Sequence, residues 1–581
     1  MIREFDFDLV VIGAGGAGCT VALTAARQGC SVALVSKEAI GTGNTRMSGG
    51  ELVSSGVTEG DSADILKEDM INGGEYLNNP ELVEIVARGG SGAIHFLENI
   101  GVFFRRDEEG RLSVRVANRL GGHRFPRSFV SLGSGMFIGQ ALRNAVAGQA
   151  LISVFEDTLA TTLLQEEDEI GGLLAIDLKT GDGVALKSKA TLLATGGCGW
   201  LYYPQTTNNR TATGDGYAMA FEAGSQLIDM EMVQFFPFTM NHPTCLAGSM
   251  LDESRLAGPR GKLINGLGGV VSDHDINLLT RAQVTALMAK EIAAGRATPW
   301  GGLRLDLSGN KDVPEMVEYK KWNDERKAFE KVRWGYGEKA FRWEEPWDVS
   351  PSAHYMMGGV KIDRQGCSTL GRLYAVGEVA GGIMGANRLG ATSLADIFSM
   401  GKHVGEEVAR FCQNSCHKEI HRSLIQGEID RIRQLPGKRG NLRPIHIERE
   451  LQKLMRDNLG IVRDERRLSH ILSEIDRLEE ELEKNASISS IRRCNTELID
   501  AIELKHMLSC ARLIATCARM RRESRGAHFR LDYPRQDDEH WLKNISIWKE
   551  GNRIRTSVTD AMGKNFIRQT ASALDEAHVH D

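Results

Sequence analysis

Proline is scarce in this chain, with 13 among 581 residues, while glycine reaches 64. That balance argues against long stiff linkers and for many close backbone approaches. The ten cysteines include no C-x-x-C pair, and the nearest two, Cys412 and Cys416, stand one helical turn apart in a polar segment. A cluster of iron and sulfur needs about four thiolates at tight spacing, so this chain is expected to carry no such cluster and no metal of its own. Its thiols read as reduced ones in a cytoplasmic protein. No apolar run reaches the ~18 residues of a membrane span. "MIREFDFDLVVIG" passes directly into a strand without a signal peptide. Positive charge is not in excess, with 71 Lys and Arg against 77 Asp and Glu. Binding to nucleic acid is therefore not expected, and membrane contact only through partners.

What is present begins at the N-terminus. "FDLVVIGAGGAGCTVALTAARQGCSVALVSK" reads strand, glycine turn, helix, strand. Gly13, Gly15 and Gly18 make GxGxxG. In a complete βαβ unit these glycines let the backbone approach a pyrophosphate, whose charge faces a helix N-terminus. The acid expected at the end of the second strand is missing. Ser36 and Lys37 lie there instead, with Glu38 beyond, so FAD fits better than NAD.

Short strands recur to "KATLLATGG", which contains Thr195, and "TATGDGYAMAFEAG" then turns into a helix behind Asp215. Residues 231–349 are rich in Trp, Lys and Glu and read as an insertion. "RLYAVGEVAGG" brings back a buried strand and glycine turn. From Gly401 onward apolar residues fall at i, i+3, i+4 spacing, as in packed helices.

Four segments together resemble the flavoprotein subunits of succinate dehydrogenase and fumarate reductase and their relative L-aspartate oxidase. They are the opening GxGxxG, "LLATGGCGWLYYPQTTNNRTATGDGYAMA", "HYMMGGVKID" with "LYAVGEVAGGIMGANRLGATSLAD", and "RRESRGAHFRLDYPRQDDEHWL". The resemblance implies an α/β fold: a two-part Rossmann-like FAD-binding domain at 1–230 and 350–405, an inserted α+β capping domain at 231–349, a helical domain at 406–535 and a C-terminal extension at 536–581. Contacts to FAD carried over by motif are Gly13, Gly15, Gly18, Ser36, Lys37, Ser48, Gly49, Thr195, Asp215, Glu378, Arg388, Ser393 and Leu394, with Asn44 and Thr45 in the small-residue stretch "GTGNTRMSGG". Succinate dehydrogenases carry there a His bonded to the flavin. Here Asn44 or Gly43 takes that place, and no His occurs before His95. FAD is therefore expected to be non-covalent and biased toward giving electrons to an alkene.

The same resemblance implies an alkene/alkane oxidoreductase acting next to a carboxyl or acyl group. His354 and Arg388, as cations, would polarise the substrate carboxylate, and Arg281, on the inserted domain, would deliver the proton. Arg281 is followed by Ala282 where relatives have an acid. Arg260 matches a second relay Arg, but Ala257 stands where the relay Glu belongs, leaving Glu253 or Asp252 as substitutes. Either Phe236 replaces a substrate-binding His or that role moves to His242. With Phe236 in the pocket a second substrate carboxylate is poorly held, and a bulkier or monocarboxylic enoate or a thioester is expected. With His242 there a C4 dicarboxylate fits, and in either case an iron–sulfur subunit is the expected electron partner. A standalone oxidase like L-aspartate oxidase and a non-catalytic electron-transfer flavoprotein are the alternatives.

Overall fold

In the computed structural model, residues 2–114, 120–272, 275–564 and 566 are described. The far end of the expected C-terminal extension, 567–581, lies outside them. The run Leu9–Ile12 is fully apolar because its strand is covered on both faces. That strand, Ile2–Ile12, lies between Val32–Val35 and Gly183–Leu193, parallel to both. Ile152–Phe155 extends the sheet on one side, and Leu373–Ala375 pairs parallel with Gly183–Leu193 when the chain returns. Because the chain leaves the central strand to one side and comes back on the other, a crevice opens at the carboxyl ends of the strands, where such sheets bind ligands.

Residues between these returns build a second sheet, wholly antiparallel, in the order Met250–Asp252, Val233–Met240, Trp347–Met356, Leu303–Asp306, Lys262–Ile264. It has its own core, including Phe238, Met240, Leu263, Val284, Met288, Leu303 and Trp347. Side chains alternate along a strand. Phe235 therefore packs against Tyr202, with ring centroids 5.4 Å apart, while Gln234 and Phe236 share the opposite face. Phe236 pairs with Ser352, and a bulge between Gln234 and Phe235 leaves His354 out of the register, its ring centre 4.9 Å from that of Phe236.

Helices Pro444–Asn458, Glu465–Lys484 and Thr496–Met520 pack on the first sheet's side of the molecule. Leu468, Ile471, Ile475 and Leu478 form the buried stripe of the middle helix, at the 3-4-3 spacing of one helical face. Each such burial contributes about 1.5–3 kcal/mol. The hairpin Lys543–Glu550 and Arg553–Asp560 extends a small sheet through Leu227–Ile228. No helix among the described residues is long and apolar enough to cross a membrane.

Candidate active site

A cavity of about 790 Å³ occupies the crevice, within the range of sites that bury a large organic ligand. The glycine turn forms one wall, and its three glycines do different work. A Cβ on Gly13, where φ is +104°, would stand 2.3 Å from the Ala194 carbonyl oxygen, and one on Gly18 would stand 1.8 Å from that of Gly13. These two let strand and helix touch. A Cβ on Gly15 would meet nothing nearer than Thr45 Oγ1 at 4.0 Å, so the turn leaves space for a ligand against the first amides of helix Gly16–Arg27. Thr195 also lines the cavity, and its buried hydroxyl has no protein partner. A close-packed turn with open space over Gly15, a helix N-terminus and an unspent hydroxyl suit a dinucleotide.

Beyond the second strand, Lys37 does not reach into the cavity as a free cation. Its ammonium donates to Thr213 Oγ1 (2.7 Å), Asp215 Oδ2 (2.8 Å) and Glu503 Oε1 (2.6 Å). His506 Nδ1 lies 2.9 Å from Asp215 Oδ1. Burial opposes ionisation of Asp215, yet Lys37 and His506 hold its carboxyl well below the usual range. Glu503 and His506 are one helical turn apart on Thr496–Met520. Sequence reading missed both, because nothing local in a helical segment shows which face meets the nucleotide site. Glu378, opposite, accepts from the Met356 amide at 3.0 Å, and burial raises its carboxyl to about 7.

Asn44 bonds the neighbouring loop at both ends of its carboxamide, Nδ2 donating to Asn208 Oδ1 at 2.6 Å and Oδ1 accepting from the Asn209 amide at 2.9 Å, and it also bonds Glu378. It braces the wall beside Thr45, Ser48 and Gly49, which also line the cavity.

At the far end two guanidinium groups meet. Arg281 opens helix Arg281–Ala293, which is fixed by a Thr280/Gln283 capping box. Its Nη1 donates to Gln234 Oε1 at 2.9 Å, its Nη2 pairs with Glu253, and its guanidinium lies 5.0 Å from the Phe236 ring centre. Arg388 Nε donates to the same Gln234 oxygen at 3.2 Å, and its Nη1 to Ser393 Oγ at 3.1 Å. Gln234 Nε2 returns a bond to the Arg388 carbonyl at 2.8 Å. One amide thus fixes both arginines. Burial first, and Arg281 second, push Arg388 down to about 9. Burial and both guanidiniums also hold His354 well below its ordinary value, so it is a neutral hydrogen-bonding ring, with Nδ1 2.7 Å from Thr207 Oγ1. This corrects the expectation of a cationic His354. Two cations against the single carboxylate of Glu253 leave one positive charge, which a substrate carboxylate can match.

Every residue expected to contact the cofactor lines the cavity except Gly18, which serves the helix–strand packing. Arg281, His354 and Arg388 converge there as well. Two expected site residues do not. Arg260 is exposed and pairs with Asp312 at 2.9 Å, because the chain has turned outward after Gly258. Arg255, not Arg260, is the arginine of this loop that lines the cavity, bonded to Asp252 (3.1 Å) and Glu51 (3.2 Å). His242 stacks on Trp300, with centroids 4.4 Å apart, and leans on Tyr336, away from the cavity lining. Phe236 is the side chain in the wall. Gln234, Glu253 and Arg255 complete the cluster. Glu253 was one of two candidates in the sequence, and Gln234 carried no signal there.

Comparison with known proteins identifies the family. Residues 8–394 match the family described as FAD binding domain, and residues 448–570 match the one described as fumarate reductase flavoprotein C-term. The chain is 34% identical, over 552 residues, to one of the subunits of the CoM/CoB fumarate reductase of Methanothermobacter marburgensis, covering 94% of this chain and 97% of that one. Among solved structures it resembles Sdh1 of Mycobacterium smegmatis, determined with UQ1, at a TM-score of 0.85 and 28% identity, covering 96% of this chain and 95% of that one. FrdA of E. coli quinol fumarate reductase gives a TM-score of 0.86 at 27% identity, covering 96% and 97%.

Proposed function

Given that the chain belongs to the fumarate reductase and succinate dehydrogenase flavoprotein family, whose members are FAD-dependent oxidoreductases, we propose that it reduces the C=C bond of an enoate. We propose further that it does so as the flavoprotein subunit of a complex whose iron–sulfur subunit delivers the electrons, and that any membrane contact runs through partners. Residues 231–349 act in this reading as the capping domain, carrying Arg281 and Glu253 to a cofactor held by 1–230 and 350–405. The observation that carries it is the Arg281–Glu253 pair set against Arg388 in one cavity with the dinucleotide cradle.

FAD, when bound and reduced by two electrons from the partner, would supply a hydride equivalent. The protein supplies the rest. Arg388 holds the substrate carboxylate with a planar fork suited to two hydrogen bonds, and His354 adds a neutral ring beside it. Gln234 keeps both guanidiniums in place. Arg281 presents a proton at Nη toward the carbon next to the carboxylate. Glu253, bonded to the other Nη, returns a proton, which a guanidinium with a solution pKa above about 12 requires. One hydride and one proton added across C=C give the saturated acid. A pure electron carrier has no use for a buried guanidinium–carboxylate pair, which weighs against that alternative. The test is direct: the FAD-loaded protein, reduced with dithionite without oxygen, is mixed with enoates. Return of the oxidised flavin band supports the reading. A flavin that reoxidises with a dye but with no enoate sinks it.

Two further results are expected. No side chain able to bond the flavin lies in the 41–50 stretch, so acid precipitation should leave all the flavin in the supernatant; flavin fluorescence in the pellet would contradict this. Arg388 must be cationic to hold a carboxylate. It is charged below about 9 and neutral above, so kcat/KM should be sustained at neutral pH and fall as pH rises through about 9. Bound substrate favours the charged form, so kcat itself should hold to higher pH. A pH profile flat to pH 10.5 would remove Arg388 from this role.

A further inference from the structure

We propose that the substrate's far end is uncharged, so that the enzyme takes monocarboxylic enoates and rejects dicarboxylates, with Phe236 as the specificity-determining residue. This rests on the enoate reading above. Phe236 is 5% exposed. Its ring centre lies 4.9 Å from that of His354 and 5.0 Å from the Arg281 guanidinium, so it forms the wall between the neutral ring and the proton donor. The π face it could offer already meets Arg281, and such a face attracts cations, not anions. His242, the other imidazole of this segment, is engaged with Trp300 and Tyr336 outside the cavity.

The neighbouring charges point the same way. Glu253 balances Arg281. Asp252, also in the cavity lining, accepts from Arg255 Nε at 3.1 Å and from the Tyr319 hydroxyl at 2.6 Å. Among the described residues of the Gln234 cluster, Arg388 is the guanidinium with no carboxylate bonded to it, and a first carboxylate uses it. A second would sit unpaired against a benzene ring beside two carboxylates, and both the lost solvation and the repulsion oppose it. An alkyl, aryl or esterified end loses neither and gains apolar contact. Specificity of this kind rests on rejecting the wrong charge as much as on fitting the right shape.

Two cations argue otherwise: Arg326, which lines the cavity and donates to the Gly49 carbonyl at 3.2 Å and Ser134 Oγ at 3.0 Å, and Lys331. Lys331 lines the same cavity, its ammonium donates to the Met250 carbonyl, and burial brings it down to about 8. A longer diacid could reach it, and the test includes that arm.

Fumarate and monomethyl fumarate share one skeleton and differ by one charge. With the dithionite-reduced holoprotein, kcat/KM for monomethyl fumarate should exceed that for fumarate by at least about tenfold, and Phe236→His should move the ratio at least about tenfold toward fumarate. Calorimetry on the oxidised protein should show monomethyl succinate binding more tightly than succinate, a readout independent of turnover and of the variant. Fumarate preferred by the unaltered protein, or a ratio unmoved by Phe236→His, overturns the proposal and leaves the enoate reading standing. Preference for (E)-glutaconate that disappears in Lys331→Met also overturns it, by showing a second acid held by that lysine. If no enoate reoxidises the flavin and neither product binds, the enoate reading falls and this inference with it.

Discussion

Arg281→Gln should lower enoate reduction roughly a thousandfold or more, at unchanged flavin content, because it removes the proton donor and neither His354 nor Arg388 beside it can take its place. His354 is neutral and bonded to Thr207, and Arg388 is committed to the carboxylate. The loss should appear mainly in kcat, since the carboxylate anchor is untouched. One complication has a physical remedy. Arg281 is buried and paired, so its removal leaves Glu253 as an uncompensated buried charge, a change that costs about 3–5 kcal/mol in other proteins. Arg281→Lys keeps the charge and most of the volume. A lysine ammonium, with a solution pKa near 10.4 against more than 12 for arginine, is the stronger acid but cannot bond Gln234 and Glu253 in one planar fork. That variant should retain the fold and flavin, give low residual turnover, and lose it at lower pH than the unaltered enzyme. Arg281→Gln turning over within threefold of the original would place the proton source elsewhere. Dye reduction of the flavin, which needs no proton delivery to carbon, should survive in both variants and serves as the control.

How far the sequence alone led depended on how local each signal was. Gly13, Gly15 and Gly18 were legible because phosphate recognition by a turn and the helix after it is complete within one βαβ unit. His354, Arg388 and Ser393 were legible through the family resemblance, because the short segments that carry them match its motifs. The loop after Asp252 was not. Arg260 appeared in the right place by spacing, yet the chain turns outward at Gly258, where φ is +60°, and Arg255 occupies the cavity. A small offset in a loop exchanges a buried arginine for an exposed one, and no periodic pattern reports the offset. The choice between Phe236 and His242 failed to resolve for a related reason. Both follow Gln234, but Phe236 lies inside strand Val233–Met240 on the face it shares with Gln234, while His242 lies past the strand's end, where only the folded loop shows that it stacks on Trp300. Glu503 and His506 lay beyond reach for another reason. Their partners Lys37 and Asp215 are hundreds of residues away, and a helix rich in apolar residues hides which polar pair is functional. His354 was found but misjudged in charge, since its neutrality arises from burial and from two guanidiniums that only the folded chain brings close.

Glu253→Gln should lower kcat by about a hundredfold to a thousandfold while moving KM little. The substitution is nearly isosteric and leaves an oxygen to accept from Arg281 Nη2, so the guanidinium stays over Phe236 and the fold should be preserved. What is lost is the group that can take and return a proton, because a carboxamide cannot reprotonate the guanidinium. Proton return then limits each cycle, and the solvent isotope effect on kcat should rise above that of the unaltered enzyme. Glu253→Asp offers the opposite control: it keeps the proton chemistry, shortens the reach and should recover part of the rate. Arg281 cannot be both the proton donor and independent of its carboxylate, since an isolated guanidinium is too weak an acid to cycle near neutral pH. If Glu253→Gln were as fast as the unaltered enzyme while Arg281→Gln was inactive, Arg281 would be acting as an electrostatic anchor for the substrate and the proton would come from solvent.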